Sequence, residues 1–530
     1  MPEKTLTTIK PRKYQQEIYE TCKTNNCLVV LPTGIGKTLI ALMLAIHRQK
    51  EHPSEKILFL APTRPLAEQH LKYFQKHLPE LWADMQLFTG KIQAPQRKKI
   101  WQTADIIFST PQCISNDIQK NLYDLAEVSL LIEDECHRCL KNYAYTKVVD
   151  LYKLQAANQR ILGLTASPGA DQKTINQIAR NLNINAIELR TRESEDVKEY
   201  IQELEYEKIL LNFPPEFEEI RQLLRVIYNK KIDSLKGRRL LFGPVSKTNL
   251  IYTQSRIMKT ISSGNKHFNY LMGASECAQA IKISHAIELL ETQTLASFYE
   301  YMQNIFEQAR QKKSKAVQNI VKQPEFNHAN TLLMELLTKK QEHPKLLETK
   351  RIIQENIKQN PKFKAIVFAQ FRSTVTRICR ELNTIPGINA NVFVGQSKKT
   401  SKNIAGENEE TGLSQKEQGT IIDEFKQGNI NVLCATSIAE EGLDIPEVSM
   451  VIFYEPIPSA IRTIQRTGRT ARLEKGQLIM LITKDTRDQA YYYSAFHKEK
   501  KMHEAIHALK EKLENKNKQT ETNNKQKTLF

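Results

Sequence analysis

At 530 residues the chain is too long for one hydrophobic core, and three or so domains are expected. An apolar content of 40% and a charged content of 26% are those of a soluble globular protein; no apolar run nears the ~18 residues that span a bilayer, and Met1-Pro2-Glu3-Lys4-Thr5 opens no secretory segment. Membrane-spanning and secreted classes are thereby excluded, an intracellular, cytoplasmic protein with its eight cysteines reduced is expected, and a net charge of +18 favours a polyanion partner, nucleic acid first, with an evenly solvated lysine surface as the alternative.

Residues 1–195 alternate short apolar runs (28–31, 57–61, 106–109, 130–133, 161–165) with helical stretches. That alternation predicts a parallel sheet covered on both faces, with ligands at the carboxyl ends of its strands. The first run breaks into Leu31-Pro32-Thr33-Gly34-Ile35-Gly36-Lys37-Thr38 ahead of a helical run. Such a junction points backbone N–H groups at one spot on the positive end of a helix dipole; Lys37 adds a charge for outer phosphates and Thr38 a hard oxygen for magnesium. Leu31 stands where the phosphate-loop pattern has its first glycine, and an ordinary strand-to-helix turn is the alternative. Further on, Glu133-Asp134-Glu135-Cys136-His137 follows an apolar run. Asp134 there suits magnesium held through its water shell, and Glu135 suits orienting or deprotonating an attacking water, against the alternative of a surface acidic pair. Thr165-Ala166-Ser167 ends the next run with hydroxyls able to link a nucleotide site to whatever binds above it.

From 214 to 340 the pattern changes: Phe217, Ile220, Leu223, Leu224 and Ile227 recur at helical spacing, and no strand signal persists. An all-helical domain is expected across 196–345, flanking linkers included. A second α/β unit, 346–513 with a C-terminal helix, has its runs at 365–369, 390–394, 432–435, 450–453 and 477–482, and a polar, mobile loop at 397–419. Within it, Gln465-Arg466-Thr467-Gly468-Arg469-Thr470-Ala471-Arg472 sets two arginines three apart, so a helical or turned backbone presents both on one side. Across a cleft from a γ-phosphate they stabilise transition-state charge; binding phosphate backbones is the alternative. Residues 514–530 read as a disordered basic tail.

The ordered set L-P-T-G-I-G-K-T, A-P-T-R-P-L, S-T-P-Q, D-E-C-H, T-A-S, A-T-S-I-A-E-E-G-L-D-I-P and Q-R-T-G-R-T-A-R resembles a superfamily 2 helicase core. Phe393-Val394-Gly395-Gln396, Phe453-Tyr454-Glu455-Pro456-Ile457-Pro458 and Thr486-Arg487-Asp488-Gln489-Ala490 make it similar to the helicase part of archaeal Hef, in the Fanconi-anaemia M translocase family. The resemblance implies an α/β fold: two RecA-like parallel-sheet domains with an all-helical, thumb-like insertion between them. ATP and Mg2+ are the implied cofactors, with Arg12 and Gln15 on adenine, Thr33, Gly34, Gly36, Lys37 and Thr38 on the phosphates, and Thr38 and Asp134 on the metal. Gly442 and Asp444 would meet the nucleotide from the second unit, with Gln465, Arg469 and Arg472 at the phosphates. Thr63, Arg64, Gly90, Thr110, Gln370, Gly395 and Thr436 would track one nucleic-acid strand.

Family members move 3′ to 5′ on forked and branched DNA, so a DNA helicase or translocase of replication-fork repair is expected, nucleoid-associated in an archaeal cytoplasm. Archaeal Hef carries a nuclease after the helicase; this chain stops at Phe530 without one, and incision is not expected. A duplex-RNA translocase like the RIG-I-like receptors and Dicer, which share the insertion position, is one alternative. An ATP-gated DNA-binding scaffold recruited by a sliding clamp is another. Gln526-Lys527-Thr528-Leu529-Phe530 resembles the start of a clamp-binding motif, with Gln526, Leu529 and Phe530 as its anchors. His503-Glu504-Ala505-Ile506-His507 and Cys136-His137-Arg138-Cys139 spell metal-site patterns, yet neither has the further ligands a zinc site needs.

Overall fold

The computed structural model describes residues 9–78, 82–169, 171–200, 204–265, 267–397, 399–402, 408–436, 448–457 and 476–527, with side chains except at 204, 399–402, 408–411 and 516–527. In the first α/β unit the apolar runs become β1 (Cys27–Val30), β2 (Lys56–Leu60), β3 (Met85–Phe88), β4 (Ile106–Ser109), β5 (Val128–Asp134), β6 (Ile161–Thr165) and β7 (Ala186–Leu189). They pair in parallel in the order β3-β4-β2-β5-β6-β1-β7. The central strands are buried on both faces because alternate residues enter separate cores: Leu28 and Val30 join one cluster, Cys27 and Val29 the other. β3 and β7, absent from the sequence reading, are the edge strands; half-buried residues in each leave no continuous apolar run.

The second sheet uses β8 (Leu204–Leu211), β9 (Ala365–Phe368), β10 (Ala390–Phe393), β13 (Val432–Ala435), β14 (Met450–Phe453) and β15 (Gly476–Thr483), in the parallel order β10-β13-β9-β14-β15-β8. β8 corrects the expectation that 196–345 holds only helices and linkers. It is an edge strand paired along its full length with β15, and Glu205, Glu207 and Lys208 are exposed on it, as edge strands favour. The helical domain is therefore hung between β8 and β9 of the second sheet. The loop expected at 397–419 contains an antiparallel pair, β11 (Lys399–Lys402) with β12 (Asn408–Thr411), and the start of the helix Gln415–Gln427, which Ser414 and Glu417 open with a capping box.

The helical domain packs Pro215–Gly237, Phe268–Thr292, Leu295–Arg310 and Pro324–Thr338 around Phe217, Leu224, Ile287, Phe298 and Phe326. Its joint with the second sheet is polar and buried. Lys345 Nζ lies 2.7 Å from Asp488 Oδ2, both side chains 0% exposed, and also donates to the Thr292 carbonyl at 2.8 Å. Asp488 accepts from the Thr483 amide, Thr374 bonds both Ser297 and Gln293, and Tyr491 donates to Glu288 at 3.0 Å.

The joint between the two α/β units is carried by the last helix, Arg487–Lys527. It starts on the second sheet, with Tyr492 against that core, then inserts Met502, Ala505, Ile506 and Leu509 into the first unit's core beside Ile175, Ile178 and Leu182. The helix extends to Lys527. Once the packed turns have nucleated it, each further polar residue adds a hydrogen bond at little cost. Among the described residues no helix is long and apolar enough to cross a membrane.

Candidate nucleotide site and nucleic-acid interface

Strand order divides the carboxyl edge of the first sheet into two halves. β1, β5 and β6 lie side by side and end in the phosphate-loop, acidic and Thr-Ala-Ser segments; β2, β4 and β3 lie side by side and lead to Thr63, Thr110 and Gly90. The sequence spreads these residues over more than a hundred positions, and the sheet sorts them into two adjacent groups.

In the first group, Gly34 (φ +86°) and Gly36 (φ +89°) take left-handed backbone, which turns the loop into helix α2 (Lys37–Glu51) after helix α1 (Lys13–Thr24). A Cβ on Gly36 would strike the Gln15 amide, so glycine is required there. Gln15 and Tyr14 both donate to the Ile35 carbonyl, at 3.1 and 2.5 Å, while Gln15 Oε1 accepts from the Arg12 amide at 2.8 Å. Arg12 itself lies 4.8 Å over the Tyr200 ring. Of the two residues expected on adenine, Gln15 braces the loop directly. Lys37 Nζ donates to the carbonyls of Leu31 (3.0 Å) and Pro32 (3.3 Å), and Thr38 begins the helix half-buried.

Asp134 ends β5 on the same face as α2. Burial pushes its carboxyl up, but the hydrogen bond and charge of His70, then the Lys37 ammonium, outweigh this and hold it below its ordinary value. His70 Nε2 sits 2.8 Å from Asp134 Oδ2, and Tyr145 donates to the Asp134 carbonyl at 2.6 Å. Glu135 has φ +51°, a backbone that non-glycine residues rarely take and that clusters at functional sites. His137 Nδ1 stands 3.2 Å from both Glu135 Oε2 and Thr165 Oγ1, and Thr165 Oγ1 accepts from the Ser167 amide. Ser167 Oγ in turn donates to Met502 Sδ of the last helix at 2.9 Å, so the Thr-Ala-Ser segment touches the element joining the two units. The preceding Glu133 points to the other face, where full burial raises its carboxyl well above its ordinary value and the Cys139 thiol pulls weakly the other way. Thr38 and Asp134 are the oxygen donors a magnesium ion needs, with Asp134 in its charged form, so the residues present fit that ion.

In the second group, Thr63 and Thr110 each cap a helix N-terminus without a side-chain capping bond, and Thr63 Oγ1 is buried with no hydrogen-bond partner among the described residues. Arg64 opens helix α3 (Arg64–His77), and Gly90 has open space where a Cβ would stand. On the second sheet, Gln370, Gly395 and Thr436 follow β9, β10 and β13, again three adjacent strands. The Gln370 amide donates to Glu455, Arg372 Nη2 to the Gly395 carbonyl at 3.1 Å, and the Thr436 amide to Phe393 at 3.1 Å. Gly442, Asp444, Gln465, Arg469 and Arg472 lie outside the described residues, as do Leu529, Phe530 and the Gln526 side chain.

A cavity of about 410 Å³ lies between the two units, with Thr33 and Ala166 from the first sheet's carboxyl edge on one wall, Pro456 and Ile457 after β14 and Tyr206, Leu478 and Met480 of β8 and β15 on the other, and Tyr492 and Phe496 of the last helix closing it. His503 reaches the same cavity, while Ala505, Ile506, Cys136 and Cys139 are buried in the first unit's core. Sequence reasoning missed His70, Tyr145, Arg372 and Met502. His70 does show as a histidine on the buried face of α3, with Ala67 and Phe74 at helical spacing, but that pattern alone reads as packing.

Three family models match: "Type III restriction enzyme, res subunit" over residues 8–170, a helical-bundle model of putative ATP-dependent RNA helicases over 216–342, and "Helicase conserved C-terminal domain" over 348–474. The crystal structure of the Pyrococcus furiosus Hef helicase domain superposes with a TM-score of 0.69 at 39% identity, over 92% of this chain and 98% of that one. A putative ATP-dependent RNA helicase of Methanocaldococcus jannaschii is 37% identical over 93% of this chain, and the Drosophila melanogaster DNA helicase Fancm 30% over 90%. The chain spans 60% and 33% of those two relatives' own lengths.

Proposed function

The chain belongs to the superfamily 2 helicases, with archaeal Hef and the Fanconi-anaemia M helicases, and from that premise we propose that it is an ATP-driven DNA helicase or translocase that steps 3′ to 5′ on forked or branched DNA. The supporting observation is the sorting of the first sheet's carboxyl edge, with phosphate-loop and acidic residues on one half and open helix N-termini on the other, and the second unit across a cavity that Thr33 and Ala166 line.

In this reading Lys37 and the loop from Thr33 to Gly36 hold the triphosphate, with Arg12 and Gln15 at the base. Thr38 and Asp134 would hold magnesium, which would supply positive charge against the outer phosphates. Glu135, steadied by His137, aligns the attacking water. Gln465, Arg469 and Arg472 meet the phosphates from the second unit, alongside Gly442 and Asp444. Thr63, Arg64, Gly90 and Thr110 on one unit and Gln370, Gly395 and Thr436 on the other grip a single strand by its backbone, so closing and opening the cleft advances one grip past the other. The reaction takes place in the cytoplasm, on the nucleoid.

The test is ATP hydrolysis and strand separation on forked DNA against duplex RNA. Forked DNA is expected to stimulate turnover and to be unwound from its 3′ strand. Stimulation by duplex RNA alone would replace DNA with RNA as substrate, and binding without separation would leave an ATP-gated scaffold. Lys37→Ala and Glu135→Gln are expected to abolish DNA-stimulated hydrolysis with melting temperature kept; near-normal turnover in either refutes the reading. Docking of Gln526, Leu529 and Phe530 on a sliding clamp is a separate proposal, tested by clamp binding with and without residues 526–530.

A further inference from the structure

The end of β5 is not held by its own strand alone. His70 Nε2 takes one oxygen of the Asp134 carboxylate at 2.8 Å, in a site where the two residues are 7% and 6% exposed. The imidazole is itself fixed, its centroid 4.4 Å from the Phe59 ring of β2, on the buried face that α3 also lines with Ala67 and Phe74. A ring packed that way cannot follow a wandering carboxylate; it sets the carboxylate's plane. The helix that carries it opens, six residues earlier, with Thr63 and Arg64, and six residues of helix span roughly 9 Å. The Thr63 hydroxyl is buried there without a partner among the described residues, at the end of a helix where a phosphate is favoured.

We propose that His70 is a positioning residue for Asp134, and that α3 thereby ties the metal-holding end of β5 to the turn that meets nucleic acid. This rests on the reading of Asp134 as the magnesium carboxylate and of Thr63 and Arg64 as strand contacts. Carboxylates that hold a metal work best when their own orientation is held by a neighbour, and removing such a neighbour typically weakens metal binding about 10- to 100-fold. The first turn of α3 and His70 belong to one helix, so a phosphate held at that turn bears on the element that orients Asp134.

Two variants separate positioning from packing. His70→Leu keeps an apolar body of similar volume and removes the donor; His70→Gln keeps a donor. The first readout involves no hydrolysis: the magnesium concentration that half-saturates binding of the fluorescent nucleotide mant-ADP. The second is the factor by which single-stranded DNA stimulates ATP turnover. His70→Leu is expected to raise the magnesium requirement about 10- to 100-fold and to lower the stimulation factor, with His70→Gln returning both toward wild type. A wild-type magnesium requirement in His70→Leu overturns the positioning role. A raised requirement with unchanged DNA stimulation overturns the link through α3. Should His70→Leu fail to fold, His70→Asn, a donor of shorter reach, is expected to fall between wild type and loss, and wild-type behaviour in it overturns the proposal. A wild-type chain that binds no nucleotide with magnesium would instead remove the underlying functional reading.

Discussion

The two joints of this molecule are built from opposite materials. Between the helical domain and the second sheet lie a fully buried ion pair, Lys345 with Asp488, and a set of hydrogen bonds among Thr374, Ser297, Gln293, Tyr491 and Glu288. Among the described residues, a cavity and one helix anchored by Met502, Ile506 and Leu509 lie between the two α/β units. Buried polar bonds have fixed lengths and directions, so a joint made of them does not slide; apolar packing beside a void tolerates displacement. The helical domain and second sheet therefore move as one body, as their continuity through β8 and β9 already suggests, and the flexing joint is the one that flanks the phosphate loop.

The largest test of that contrast is Lys345→Ala. It strips the buried Asp488, whose carboxyl burial already pushes up, of its cationic partner, and is expected to cost about 3–5 kcal/mol. In urea titration the helical domain and second sheet should lose stability together; a loss below about 1 kcal/mol would erase the distinction between the joints. Met502→Ala comes next, at about 2–5 kcal/mol for its packing. The expected signature is local: faster amide exchange along the last helix and over Ile175 and Ile178, with the second sheet unchanged. Slower effects spread over the helical domain would contradict it.

A pH titration probes the rigid joint more gently. Burial pushes the Glu288 carboxyl up, but His285, Lys247 and Arg487 outweigh it and hold it down at about 2. A carboxyl lowered on folding adds stability above its unfolded pKa of about 4.3, and that stability is lost as pH falls toward 2. Amide protection in 285–295, taken relative to the intrinsic exchange rate at each pH, should therefore fall as pH drops between those values in wild type, and Glu288→Gln should flatten the change. The smallest effect is expected from the double swap Lys345→Met with Asp488→Leu, within about 1 kcal/mol of wild type, because a well-packed apolar pair often replaces a buried ion pair at no cost. A large loss there would mean that the pair's geometry, not only its charge balance, holds the joint.

What the chain declares about itself depends on how local the cause is. The buried strands β1, β2, β4, β5 and β6 show as short apolar runs because both faces are covered, and the phosphate loop shows because glycines, lysine and threonine must be contiguous to work. β8 stays hidden because an exposed edge strand carries charges where a buried one carries valines. The destination of the last helix is equally hidden, since Met502 and Ile506 read as an amphipathic stripe whatever surface receives them. His70 fails for a third reason: nothing near it in sequence marks Asp134, sixty-four positions on, as its partner.

The anchorage of the last helix also bears on synthesis. Ile175, Ile178 and Leu182 leave the ribosome long before Met502, Ala505, Ile506 and Leu509, which cover them. At about 5–20 residues per second, the nascent first unit carries that bare apolar groove for tens of seconds, with the whole second unit still to emerge. The earliest-made part of the motor is thus sealed by the latest, and a ribosome stalled near residue 490 would release a protein whose first half is sticky rather than merely short.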